Sequence, residues 1–288
     1  MHMDYELHLP ESLNDALALL AETDGKSTAL LAGGTNLIVD MRADRETPDR
    51  VISLDRVDGL RDIKEADGVV SIGGGTTVSD LMGSDLIADS APSLIDAAKA
   101  FAGQMVRNTA TVAGNIACGS PAADLVPPLL SLDAKVTLTS LAGDRNLPLD
   151  GYFTGYKTDQ SRADEVITQI SWPRRKVSTV NSFYKLARRK GDAITITGVA
   201  VTVSAEGGVC TTARMALGAV APTVFRAHTA EAHLEGEALT EALIEEAAKL
   251  AGDATNPIDD VRASAAYRRH TAQALTRRLL ADAWAKLA

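Results

Sequence analysis

The chain has 288 residues, 45% hydrophobic and 23% charged, with 29 Lys+Arg against 38 Asp+Glu for a formal net charge of −9. This is a soluble globular composition, long enough for one large or two to three modest domains, and its acidity argues against nucleic acid as the main partner. Its cysteines, Cys118 and Cys210, can build neither a disulfide framework nor an iron–sulfur ligand set, and no apolar run approaches the ~20 residues of a spanning helix.

Residues 1–10 lack a basic region followed by an apolar one, so no signal peptide is expected and the expected location is cytoplasmic. Residues 12–21 put Leu13, Ala16, Leu17, Leu20 and Ala21 on one helical face, with Ser12 and Asp15 as a weak capping box and Gly25 as a stop. Residues 27–32 read as a short buried strand, 35–42 as a helix and 50–54 as a strand, a small β-α-β-α-β unit ending near Leu54. Within it, LLAGGTNLIVDMR (30–42) reads as strand, Gly-Gly turn and helix. Such a turn presents free amides and a helix N-terminus to a phosphate, at the strand end where α/β units bind ligands.

A second segment begins near Val57. A strand at 69–72 closes on Gly73-Gly74-Gly75, read as a flexible strand exit because no helix cap follows at once. Helices are expected at 78–86 and 92–101. Residues 109–130, TATVAGNIACGSPAADLVPPLL, then form the centre of the chain. Gly114 can bring backbone amides close to an anion, and Thr109, Thr111 and Asn115 add side-chain donors. Ser120 reads as the cap of a helix with Pro121 in its first turn, which puts Asp124 in that turn, facing the loop's ligand. Alone this is a plain capped turn. Beside the earlier glycine loop it makes a pair of small-residue anion loops, suited to a diphosphate with one phosphoryl group on each. Neither G-x-G-x-x-G nor G-x-x-x-x-G-K-[ST] occurs.

Strands follow at 135–140 and 165–172, with a hairpin turn in 141–145 at Gly143-Asp144, and 173–176 is a basic, Pro-containing connector. Beyond it, strands at 180–187, 195–204 and 209–220, with a Gly207-Gly208 hairpin turn, precede helices at 229–234, 240–251 and 263–286. Strands then helices indicate an α+β domain. His2, His8, His228, His233 and His270 sit in no G-x-S-x-G or H-E-x-x-H context and read as surface residues. With no catalytic side-chain constellation and no metal site, a bound cofactor has to carry any chemistry. Cys118 reads as a small buried thiol and Cys210 as core.

Ala32-Gly33-Gly34-Thr35-Asn36, with Leu37 after it, and Thr111-Val112-Ala113-Gly114-Asn115 resemble the paired FAD-pyrophosphate motifs of the flavoprotein (medium) subunit of the xanthine dehydrogenase and carbon monoxide dehydrogenase family. That family's second motif is usually T-x-G-G-N, and Ala113 replaces its first Gly; the loop persists unless that position needs a positive φ. The segment 119–127 and the length agree, and the resemblance covers essentially the whole chain. It implies an α+β fold: a two-part FAD-binding domain of the vanillyl-alcohol-oxidase-like, molybdenum-hydroxylase flavoprotein type, and a C-terminal α+β domain with a three-stranded antiparallel sheet and helices. The expected divisions are 1–56, 57–175 and 176–288.

By the same resemblance, Phe101 stands beside the flavin ring and Tyr156 covers it. Asp124 contacts the FAD ribose region, the backbone of Ile167 meets the flavin edge, and Lys185 lies near the isoalloxazine, where a cation favours the anionic reduced flavin. The bland alternatives are a core aromatic for Phe101, an exposed loop residue for Tyr156, a helix-terminal charge for Asp124 and a solvated strand charge for Lys185. Arg188, Arg189 and Lys190 read as a solvated face or a docking edge. No catalytic residue and no metal ligand is expected on this chain. The implied function is an FAD-binding electron-transfer subunit of a molybdenum hydroxylase. A large molybdopterin subunit and a small subunit with two [2Fe–2S] clusters would be its partners, in a dimer of heterotrimers. The rivals are a self-contained FAD-dependent oxidase or dehydrogenase and a non-redox binding or assembly module. Carbon monoxide, purines, N-heterocycles, aldehydes and aromatic acyl-CoA thioesters all stay open as substrates of the complex.

Overall fold

The computed structural model describes residues 4–175 and 178–287; Lys176 of the basic connector and His2 lie outside the described residues. The N-terminal unit is β1 (Glu6–His8), α1 (Leu13–Leu20), β2 (Thr28–Leu31), α2 (Leu37–Arg42) and β3 (Arg50–Ser53). Its strands form a parallel sheet in the order β1-β3-β2, which is the expected β-α-β-α-β unit. Ser12 caps α1 by accepting from the Asp15 amide. Ala16, Ile52, Val57 and Leu60 make the unit's own small core.

The middle segment is a five-stranded antiparallel sheet, order β4-β5-β10-β6-β7, built from β4 (Ile63–Ala66), β5 (Val69–Gly73), β6 (Lys135–Ser140), β7 (Gly143–Pro148) and β10 (Val166–Pro173). The small hairpin β8 (Phe153–Gly155) and β9 (Thr158–Asp159) precedes β10. Between β5 and β6 run α3 (Val78–Met82), α4 (Asp85–Ser90), α5 (Pro92–Ala100), α6 (Gln104–Arg107), α7 (Val112–Ala117) and α8 (Val126–Ser131). The helix expected at 78–86 is two helices. Thr77 and Asp80 make a capping box for α3, Gly83 ends it, and Ser84 caps α4 through the Ile87 amide. The β6–β7 turn falls on Leu141-Ala142 rather than Gly143-Asp144; Gly143 opens β7 at φ +114.

The helix expected from Pro121 starts instead at Val126, after turns at 121–122 and 124–125. Proline decides this. A helix begun at 121 would hold Pro127 and Pro128 in its interior, where each would remove a backbone bond and clash with the preceding turn. Starting at Val126, the first turn accepts Pro127 without that cost. Ser120 Oγ accepts only the Ala122 amide, in a local turn.

The C-terminal segment is an antiparallel sheet β11-β12-β13-β14: β11 (Thr179–Ala187), β12 (Thr195–Glu206), β13 (Val209–Gly218) and β14 (Phe225–Arg226). It has four strands, not the expected three; β14 is two residues long, too short to leave an alternation signal. Gly207 and Gly208 both have positive φ, as a two-residue hairpin turn requires. On one face pack α9 (His228–Leu234) and α11 (Ala265–Leu287), with α10 (Glu241–Asp253) against both. The other face meets α5 and α8 of the middle segment, whose core takes in Phe183, Ala200 and Ala216. β12 is buried along nearly its whole length, as a central strand covered on both faces should be.

Candidate functional site

The strand-to-helix turn after β2 and the loop before α7 touch backbone to backbone. A Cβ built on Gly33 would lie 1.8 Å from the Thr109 carbonyl oxygen, so only glycine admits this approach. Opposite, a Cβ on Gly114 would lie 4.0 Å from the Ala32 Cβ and 2.9 Å from Thr111 Oγ1. The Gly73-Gly74-Gly75 run completes the seam. Gly74 donates to the Thr168 carbonyl at 2.8 Å and Gly75 to that of Leu60 at 2.6 Å. A Cβ on Gly74 would sit 2.1 Å from the Ile167 carbonyl oxygen and 3.2 Å from the Ala113 Cβ. The expected flexible strand exit is thus a packed chain crossing. The triple glycine was visible in the sequence; what it packs against was not.

The loops offer an anion different groups. Among the described residues, the amides of Gly33, Gly34, Thr35, Asn36 and Leu37 donate to no protein acceptor, and Gly34 takes φ +70 to turn them inward. Asn36 is held by its amide nitrogen's bond to Asp40, which Arg45 neutralises at 3.0 Å. The second loop corrects the expectation of free amides around Gly114. Val112 donates to the Thr76 carbonyl, Ala113 to that of Gly74, Gly114 to Thr111 Oγ1 and Asn115 to the Thr111 carbonyl. What this loop can give a ligand is side-chain donors: the Thr111 hydroxyl and the Asn115 Nδ2, whose partner oxygen accepts from Leu125 at 3.2 Å. Thr109 turns its hydroxyl to the Val106 carbonyl instead. Ala113 lies inside α7 without positive φ, so its methyl is no obstacle to the loop.

The seam separates two cavities, and Ala32, Gly33 and Thr111 line both. One, of 340 Å³, lies toward Leu54, Asp55, Leu60, Gly74 and Ile167. The other, of 450 Å³, lies toward Thr35, Asn36, Asp40, Phe101, Asn115, Cys118 and Lys157. Phe101 and Ile167, both expected beside the flavin, therefore face different cavities. Cys118, expected to be a buried thiol, is partly exposed on the second. Tyr156 joins neither: the residue is 63% exposed, over a third cavity lined by Pro121 and Ile194.

Lys185 is not a solvated charge. On β11, Asn181, Phe183 and Lys185 alternate onto the face that meets the middle segment. Asn181 Oδ1 accepts the Ser93 amide at 3.0 Å. Lys185 Nζ donates to Asp124 Oδ2 at 2.6 Å and to the Ala100 carbonyl at 3.1 Å, next to Phe101 in the chain. The Lys185 and Asp124 side chains are 6% and 9% exposed. Thr195 Oγ1 donates to the other carboxylate oxygen, Asp124 Oδ1, at 2.5 Å. Burial pushes the Asp124 carboxyl above its ordinary value, against the pull of Lys185 and Thr195. Asp124 therefore precedes α8 rather than charging a helix N-terminus, and Lys185 and Thr195 each take one acceptor site on its two oxygens. Thr195 had no sequence signal: it lies 71 residues from Asp124, across a hairpin from Lys185.

Comparison with known proteins fits this arrangement. A family model described as the FAD binding domain in molybdopterin dehydrogenase matches residues 3–175, and one described as the CO dehydrogenase flavoprotein C-terminal domain matches 182–283. The carbon monoxide dehydrogenase medium chain of Hydrogenophaga pseudoflava is 34% identical, over 99% of this chain and 98% of that one. The nicotinate dehydrogenase FAD-subunit of Eubacterium barkeri is 30% identical, over 97% and 96%. Among solved structures, a chain of carbon monoxide dehydrogenase from Hydrogenophaga pseudoflava superimposes with a TM-score of 0.94 at 35% identity, covering 99% of each chain. One of quinoline 2-oxidoreductase from Pseudomonas putida 86 gives 0.91 at 27% identity, covering 100% and 99%.

Proposed function

The chain belongs to the FAD-binding medium subunits of the molybdenum hydroxylase family, oxidoreductases of the carbon monoxide and xanthine dehydrogenase type, and from that premise we propose that it carries electrons from [2Fe–2S] clusters on a partner subunit to an external acceptor. The observation that carries the reading is the seam itself, with free amides on one side and the Thr111 and Asn115 donors on the other. A pyrophosphate would take the amides of Gly33–Leu37 on one phosphoryl group and Thr111 and Asn115 on the other. Its charge would be met by backbone dipoles and neutral donors, which suits an acidic chain.

The cavities on either side divide the rest of the cofactor. The smaller, with Leu54, Leu60 and Ile167 in its walls, fits the adenine end; the larger, with Phe101, fits the flavin end. Phe101 and the loops would position the ring, and Ile167 and Leu60 would keep water from the adenine. Bound there, the flavin supplies a redox centre that takes up and gives out electrons singly or in pairs.

The named relatives are a medium chain and an FAD-subunit of dehydrogenases. For this chain the same assembly means a large molybdopterin subunit and a small iron–sulfur subunit, as a dimer of heterotrimers in the cytoplasm. Among the described residues no helix is long and apolar enough to cross a membrane. The test is anaerobic bleaching of the flavin by candidate substrates, with the isolated chain and then with its copurified partners. Bleaching only with partners is expected. Rapid bleaching of the isolated chain by a small organic substrate would favour a self-contained flavoenzyme.

A further inference from the structure

We propose that the open groove between α5 and the β11–β12 loop is a docking site for an acidic electron-carrier protein, the external acceptor of the complex. This rests on the reading of the chain as the flavoprotein that hands electrons out.

The groove encloses 640 Å³ and is lined by Asp96 and Lys99 of α5, Tyr184 of β11, and Arg189 and Lys190 of the loop that follows. Asp96 is its one acid. Lys99, Arg189 and Lys190 are exposed and form no ion pair among the described residues. Arg189 donates only to the Asp192 carbonyl, and Arg188 beside it to that of Val261 at 3.3 Å. Arg278 of α11 lies over the Tyr184 ring, 4.1 Å from its centroid, and steadies that exposed residue. The result is a basic groove on an acidic chain: over 176–288 Lys+Arg outnumber Asp+Glu, against a net charge of −9 for the whole.

An excess of positive charge calls for an anionic occupant. Its chemistry selects a transient protein partner. A small anion is gripped by buried, fixed donors, and the one buried cation here, Lys185, is consumed by Asp124 and the Ala100 carbonyl. A permanent subunit contact buries an apolar centre depleted in lysine, whereas these cations stand free in water. Weak redox encounters use small charged patches, and Tyr and Arg are the favoured anchors. The acidic remainder of the surface repels an acidic carrier and so steers it to the groove. The groove also reaches the electron source. Ala100 lines it, and Phe101, next in the chain, lines the larger loop cavity. Each encounter would pass one electron from reduced flavin to an oxidised carrier. Two encounters complete the reoxidation, with the flavin's protons released to water.

The experiment uses an acidic plant-type [2Fe–2S] ferredoxin and reads its Kd by fluorescence anisotropy, for the full chain and for the chain copurified with its partners. Binding to both is expected, weakening about tenfold from about 0.01 to 0.15 M salt as the Debye length shrinks from about 30 to 8 Å. Lys99→Glu, Arg189→Glu and Lys190→Glu should each weaken it by about fivefold at low salt. Lys64→Glu makes the same charge step on exposed β4, outside the groove, and should leave it unchanged. Carbodiimide joins a lysine amine to a touching carboxylate, so mass spectrometry should find the ferredoxin coupled to Lys99 and Lys190. Salt-independent binding, equal weakening by Lys64→Glu, or couplings only elsewhere would overturn the proposal. So would binding that vanishes when the partner subunits are present, which would give the groove to a subunit. Displacement of the ferredoxin from the FAD-loaded chain by micromolar pyrophosphate would give it to a small anion instead. The binding needs no cofactor, so flavin content on the same samples tests the functional reading separately.

Discussion

Gly33→Ala tests the seam at its tightest point. The new methyl would meet the Thr109 carbonyl oxygen at 1.8 Å, where real Cβ atoms stay beyond 3.0 Å. The loops must part by roughly 1.2 Å, an overpacking cost of about 1–3 kcal/mol. That displacement carries one phosphoryl seat away from the other. A hydrogen bond stretched from ~2.9 Å to beyond 4 Å is lost. Losing two bonds to a charged group, at about 1.5–3 kcal/mol each, weakens FAD by ~3–6 kcal/mol, a factor of about 10²–10⁴ in Kd. Gly25→Ala is the control: its φ of +82 strains alanine by about 1–2 kcal/mol, but its methyl meets nothing within 4 Å and it lies outside both loops. The assay titrates each apoprotein with FAD by flavin fluorescence, with a thermal melt to confirm folding. A folded Gly33→Ala protein binding FAD within threefold of the parent would refute the seam as the pyrophosphate seat.

Thr111→Val removes both the cap of α7 and a ligand donor; it should cost about 1 kcal/mol of stability and at least tenfold in FAD affinity, and Thr111→Ser should recover both, by melt and titration. Cys118 lines the cavity proposed for the flavin end of the cofactor, so alkylation followed by mass spectrometry should find it modified in apoprotein and protected by FAD. Cys210, its thiol pushed up to about 11 by burial, should stay unmodified in both. Arg145 donates to both oxygens of Glu165, at 2.6 and 2.8 Å, and holds its carboxyl below the usual range. Because the folded value lies below the unfolded one, this stabilisation is present above about pH 4.5 and is lost as pH falls through the folded value. Arg145→Met should therefore melt below the parent at pH 7, and the gap should narrow in acid as the Glu165 carboxylate is protonated.

Much of the site was legible because small residues leave a pattern. Glycines after an apolar strand, and Thr and Asn before a short helix, marked both loops, and the resemblance followed from them. What each loop offers was not legible. The amides of the second loop are consumed by Thr76, Gly74 and Thr111, partners that only the chain crossing brings near. The Pro121 helix was misread because local capping chemistry was weighed without the Pro127-Pro128 pair, which bars any helix begun so early. Strand alternation predicts that Asn181, Phe183 and Lys185 share a face. It does not say that the face is buried, nor that Thr195 would complete the polar cluster there.

The most direct test of the central claim is the electron density of FAD in crystals of the loaded protein. The account predicts the pyrophosphate over the amides of Gly33–Leu37 and within hydrogen-bond reach of Thr111 and Asn115. The adenine should lie beside Ile167 and the flavin on the Phe101 side. A pyrophosphate bound elsewhere, or a cofactor lying wholly on one side of the seam, would contradict it.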